Sequence, residues 1–177
     1  MKNFIKSVLI LCACLYGFTA SAQSKWATYT NSCFNFYYTI PNNYVEIIEH
    51  VSNDGYTFRY NDGIEIYAIG YYADPSSDIT LWDLYRSELM HKPAYYKYNE
   101  DWYVTSFDHG DGTESYTRAG SYWTSVYGDP ELSEVIAILT ISYPKTAKKR
   151  AQQIIQKCFK GFPQHLVTWT KSRMNLE

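Results

Sequence analysis

The chain has 177 residues and a formal charge of −2, with 46% hydrophobic and 19% charged side chains. That length suits one domain, and that balance excludes an intrinsically disordered chain and a broadly basic nucleic-acid binder. Tyrosine stands out, with 19 copies beside five Trp and eight Phe; its ring packs on sheets while its hydroxyl stays wet, and the same chemistry serves interfaces.

Residues 1–22 read as a signal peptide. Lys2 and Lys6 supply the positive start, Val8–Phe18 is apolar but too short to span a bilayer, and Ala20-Ser21-Ala22 is an A-x-A cleavage site. The mature chain then starts at Gln23. The alternative is a lipoprotein signal, because Leu11-Cys12-Ala13-Cys14 resembles a lipobox with the lipid on Cys14. No other segment approaches membrane-spanning length. The expected location is the periplasm or the extracellular space.

Residues 23–163 are expected to form a single α+β domain, with 164–177 a C-terminal tail or short extra helix. Trp26–Tyr29 is a short strand, Cys33–Ile40 a firm one stopped by Pro41, and Tyr44–Val51 an irregular one. Turns at Ser52–Gly55 and Asn61-Asp62-Gly63 bracket a strand at Tyr56–Tyr60, and Ile64–Tyr72 returns. A helix starts near Thr80, whose spacing to Asp83 approximates a capping box; Leu81, Leu84, Tyr85 and Leu89 share one face, and Pro93 stops it. Tyr95–Tyr98, Trp102–Phe107 and Glu114–Gly120 form a three-strand meander around the Asp108–Gly112 turn, expected in the middle of the sheet. Residues 125–133 read as a loop. Glu134–Tyr143 is the most apolar stretch of the mature chain and predicts a buried strand. Pro144 opens the last helix, with Ala147, Ala151, Ile154, Ile155, Cys158 and Phe162 as its apolar stripe and Gly161 as its stop. The fold class is therefore α+β: a central, mostly antiparallel sheet flanked by helices.

Charge is uneven. From Lys145 onward there are eight Lys/Arg and one acid; Gln23–Pro144 carries six Lys/Arg and 17 acids. The Lys148-Lys149-Arg150 run reads as a solvated helix face. No nucleic-acid partner is expected.

Few residues suggest chemistry. Cleavage leaves Cys33 and Cys158, and a lone pair in an exported chain suggests a disulfide tying the first long strand to the last helix; two buried free thiols are the simpler alternative. His50, His91, His109 and His165 share no metal-ligand spacing. Asp108, Asp111 and Glu114 gather three carboxylates at one hairpin and are the weak candidates for a calcium site, although acids are ordinary turn residues. No nucleophile, phosphate-loop or dinucleotide motif is present, so neither catalysis nor a cofactor is expected.

Several pieces resemble the PsbP-like superfamily, which includes the PsbP, Mog-type and DcrB-type proteins: Trp26…Phe34-x-Phe36-x-x-x-Ile40-Pro41-x-x-Tyr44, the Ile64–Tyr72 strand, the Leu81–Leu89 helix, Asp101-Trp102-Tyr103-Val104…Gly112–Tyr116, and Tyr143-Pro144 with the helix ending at Phe159. The resemblance implies an α/β/α sandwich and an accessory or partner-binding role without catalysis. The expected function is thus binding of a partner protein in the cell envelope, with Trp102, Tyr103, Tyr116 and Trp123 as candidate contact residues. The alternative is a small-ligand or glycan binder using a Tyr/Trp-lined groove.

Overall fold

The computed structural model describes residues 25–51, 54–74, 76, 79–125 and 132–165. The expected signal peptide with Cys14, most of the expected 125–133 loop and residues beyond 165 lie outside the described residues.

The architecture is α+β. Strands β1 (Trp26–Asn31) and β2 (Phe36–Pro41) join a short β10 (Gln164–His165) in a three-stranded sheet of order β1-β2-β10. The other seven form one antiparallel sheet: β3 (Glu46–Glu49), β4 (Gly55–Arg59), β5 (Glu65–Tyr72), β6 (Tyr95–Asn99), β7 (Trp102–Asp108), β8 (Thr113–Ser125) and β9 (Leu132–Pro144). Their order is β3-β4-β5-β9-β8-β7-β6. Helix α1 (Leu81–Met90) follows β5, and α2 (Lys148–Cys158) follows β9 through a 3-10 turn at Lys145–Ala147.

The large sheet has two unlike faces. On one, Phe58, Ile66, Ala68, Val135, Ala137, Leu139 and Ile141 pack under the small sheet and α2, whose Ala151, Ile154 and Cys158 are buried there. On the other, Ile136, Ala119 and Tyr103 pack under Leu81 and Tyr85 of α1. Strand β9 contributes to both clusters, which is why its sequence is apolar at consecutive positions. It also occupies the centre of the sheet, between β5 and β8. The meander β6-β7-β8 is therefore not central as expected: it forms one flank and ends the sheet at β6.

The local signals at α1 hold. Thr80 Oγ1 accepts from Asp83 N at 3.2 Å, and the Asp83 carboxylate accepts from Thr80 N at 3.2 Å, a complete capping box. The last helix ends sooner than expected, with Phe159 as its cap; Gly161, at φ +75°, lies beyond it.

The strand expected from Cys33 starts only at Phe36. The buried Asn31 side chain accepts from Cys33 N at 3.1 Å and Phe34 N at 3.2 Å, folding residues 32–35 into a turn. Cys33 is therefore exposed in that turn, while buried Cys158 donates its thiol to Thr39 O at 2.9 Å. From Phe36 to Thr39 the strand alone covers about 10 Å, beyond the about 7 Å that a disulfide spans. The expected Cys33–Cys158 disulfide is thus corrected: both thiols are free.

The Lys148-Lys149-Arg150 face is solvated as expected, with Lys148 and Lys149 exposed, and two of its three cations, together with Lys145 of the preceding turn, have acidic partners. Lys145 pairs with Asp108 at 2.6 Å, Lys148 with Glu114 at 2.8 Å and Arg150 with Asp62 at 2.6 Å. These ties place the acidic turns of the sheet against the helix that follows β9.

Candidate functional site

Among the described residues, three of the five exposed large aromatics, Trp82, Tyr95 and Tyr96, lie where the large sheet ends. Strand β6 reads Tyr-Tyr-Lys-Tyr-Asn and, among the described residues, pairs on one side only, with β7. Consecutive residues of a strand face opposite ways, so the run presents aromatics on both faces of the edge. Tyr96 and Tyr95 are 58% and 47% exposed.

On the α1 side, Tyr98 is the hub. Its ring lies 4.9 Å from Tyr85, stacked, and 5.1 Å from Trp82, edge-on. Tyr85 also packs at 5.6 Å on Tyr103. Trp82, on the helix face turned toward the edge strand, is 49% exposed. Tyr96 shares the face of Tyr98 by strand alternation. Burial pushes the Tyr98 and Tyr103 hydroxyls above the ordinary phenol value, Tyr103 the more strongly.

On the opposite face, Trp102 carries two cations. The Arg118 guanidinium lies 4.6 Å from its ring and the Lys97 ammonium 5.4 Å. Arg118 Nε donates to Phe162 O at 2.7 Å. Its burial pushes its pKa below the ordinary value. Among the described residues, neither cation forms an ion pair.

The four candidate aromatics separate. Trp102 and Tyr116 fall on the face of Arg118, Tyr103 and Trp123 on the face of α1. Tyr103 is only 1% exposed, so it belongs to the core beneath Tyr85 rather than to a contact surface. Tyr116 lines a cleft of about 250 Å³ with Ser106, Glu114, Tyr143, Lys148 and Gln152. Trp123 pairs with Glu134 toward the far end of β8. Trp82, Tyr95 and Tyr96 were missed as contacts. The paired tyrosines were the available signal, since two in a row must place one on each face; that β6 is an edge was not legible.

The acidic hairpin is a structural clasp. Asp108 is held by Lys145 and the Gly110 amide, and Glu114 by Lys148 and the Tyr143 hydroxyl at 2.9 Å. Asp111 accepts from Thr113 N at 2.9 Å and Thr113 Oγ1 at 2.6 Å. The same partners lower all three carboxyl pKa values, through Lys145, Thr113 and Lys148 respectively. Among the described residues, no three His, Cys, Asp or Glu side chains converge to hold a metal ion.

One arrangement has the connectivity of a hydrolytic triad. His50 Nδ1 lies 3.3 Å from Asp54 Oδ1, and His50 Nε2 lies 3.0 Å from Thr57 Oγ1. The His50 ring stacks on Tyr67 at 4.9 Å. Thr57, however, sits in β4 between Ile48 of β3 and Tyr67 of β5. Its backbone neighbours are committed to ladders, whereas an oxyanion needs free N–H donors. The contacts fasten the β3–β4 hairpin.

Among the described residues, no helix is long and apolar enough to cross a membrane. Comparison with protein-family models, with curated proteins and with solved structures gave no match to this chain.

Proposed function

We propose that this chain is an exported, non-catalytic protein that binds a partner protein in the cell envelope through the β6 edge and the adjoining face of α1. The observation that carries this reading is the run of exposed aromatic side chains, Trp82, Tyr95 and Tyr96, along a sheet edge. Exposed aromatic side chains are what interfaces use, and a strand edge with no partner among the described residues offers backbone donors and acceptors to an incoming strand. The α/β/α sandwich of PsbP-like proteins is the finer fold reading we attach to the α+β architecture, and an accessory role accords with it.

The test is a photo-crosslinking residue at Tyr96 in the exported protein, with Thr28 of β1 as control position. A discrete adduct at Tyr96 that weakens with Trp82→Ala supports the reading. Equal labelling at both positions, or adducts at Thr28 alone, sinks it.

A small-ligand or glycan reading has one observation in its favour. A cleft of about 480 Å³ lies between Lys25, Trp26, Asn42, Asn43 and Arg150. The Trp26 ring there is covered by the Lys157 ammonium at 4.2 Å, so a stacking sugar would have to displace it. The edge surface is the better supported site.

A further inference from the structure

We propose that Lys97, Trp102 and Arg118 form a carboxylate-binding subsite beside β6, and that the segment it receives is an extended peptide with an acidic side chain. This rests on the partner-binding reading and specifies the chemistry of the partner.

The first argument is the pairing of cations. Arg59 lies between Glu46 and Glu65, at 3.0 and 2.8 Å, and Lys145, Lys148 and Arg150 each have a carboxylate. Lys25, Arg86, Lys92, Lys97, Lys149 and Lys157 have no ion pair among the described residues, but all six are exposed to water. Arg118 is partly buried and also has none among the described residues, and burial lowers its pKa. A desolvated cation without a counter-charge is costly unless something completes it.

The second argument is geometry. Only Nε of the guanidinium is committed, to Phe162 O. Among the described residues the two terminal nitrogens have no acceptor, and these present the fork that grips a carboxylate with two parallel bonds. The Trp102 ring packs 4.6 Å from the guanidinium carbon. Lys97 adds a second charge over the same ring.

The third argument is register. Lys97 sits opposite Val104, and Val104 opposite Arg118, so both cations stand in one row running inward from the edge. A strand added to β6 would alternate its side chains between the two faces. On one face they meet Tyr96, Tyr98 and Trp82; on the other they meet Lys97 beside Tyr95, with Arg118 behind Lys97. The fitting segment alternates apolar and acidic residues. Charge complementarity of this kind fixes register and selects the partner.

The probes are three labelled peptides, Thr-Val-Xaa-Val-Xaa-Val-Thr with Xaa as Glu, Gln or Lys, and binding to the mature protein is read by anisotropy at low and high salt. The Glu peptide should bind about tenfold tighter than the Gln peptide, with the Lys peptide weakest, as one charge-assisted contact implies. High salt should narrow the gap. Arg118→Gln should bring Glu and Gln peptides within about threefold of each other. Lys97→Glu, at an exposed position that the fold tolerates, should move the preference toward the Lys peptide even if the Arg118 variant does not fold. Trp82→Ala should weaken all three peptides alike.

Equal affinity for Glu and Gln peptides would overturn the subsite and leave edge binding standing. An acid preference that survives Lys97→Glu would place the anion site elsewhere. Failure of all three peptides would overturn both strand addition and the subsite, while the Tyr96 cross-link would still judge the partner-binding reading. Preference for phosphatidylglycerol vesicles over the Glu peptide would replace the peptide by a lipid surface.

Discussion

Replacing Cys158 by alanine separates a buried thiol from a cross-link. Cys158 is buried on the last turn of α2, and its thiol donates to Thr39 O at 2.9 Å. Removing it forfeits one hydrogen bond and the burial of one sulfur atom, about 1–2 kcal/mol together. Loss of a disulfide closing most of the chain would cost about 4–5 kcal/mol in the chain-entropy model. Burial raises the Cys158 pKa to about 12. At pH 8 that leaves roughly one thiolate in ten thousand, against about one in four for an ordinary thiol of pKa near 8.5. In protein beginning at Gln23, a thiol reagent should therefore label the exposed Cys33 at once and Cys158 only on unfolding. The melting temperature should not change with reductant. The folded pKa lies above the unfolded one, so this contribution is fully present below about pH 8.5 and is lost as pH rises toward about 12. Unfolded, unreduced protein that releases no thiol would refute the reasoning. So would a Cys33→Ala variant that loses several kcal/mol.

Three further outcomes follow from the packing. Thr80→Ala removes the capping box of α1 and should cost about 1 kcal/mol in urea unfolding; an unchanged midpoint would show that α1 is held by Leu81 and Tyr85 alone. A methyl group at Gly55 would lie 1.9 Å from Ala68 O and 2.8 Å from Ile69 Cα, both backbone of β5. Gly55→Ala should then cost about 3 kcal/mol or more, and a loss below about 1 kcal/mol would disprove that close approach. Burial raises the Tyr38, Tyr103 and Tyr122 pKa values far above the ordinary phenol value near 10. Their stabilisation is present below about pH 10 and lost as pH rises, so tyrosinate absorbance should climb in two phases, the second together with loss of circular dichroism. A single titration near pH 10 with the fold intact would contradict the buried cluster.

Much of the secondary structure was legible because it depends on near neighbours. Thr80 and Asp83 announce the start of α1 by their spacing, and the two-faced apolar run at Val135–Ile141 announces a strand covered on both sides. Glycines at 63, 110 and 112 mark reversals because each adopts positive φ. The turn at 32–35 was missed because Asn31 folds it with a side chain that alternation does not register.

The sequence by itself determined most of the strands and both helices and which residues of each share a face, since those follow from periods of 2 and 3.6 along the chain; the turn at 32–35 and the short β10 were not among them. Only the tertiary structure decided the order of strands, because pairing β9 between β5 and β8 joins segments far apart in sequence. That order makes β9 the centre and β6 an edge, and the rest of the candidate site depends on it. It buries Tyr103 under α1 while leaving Tyr96 in water, although both read as strand tyrosines. It also sets Arg118 over Trp102 with no carboxylate partner among the described residues, while folding brings Lys145, Lys148 and Arg150 to theirs. A charge's partner depends on distance in space, and a single sequence records only distance along the chain.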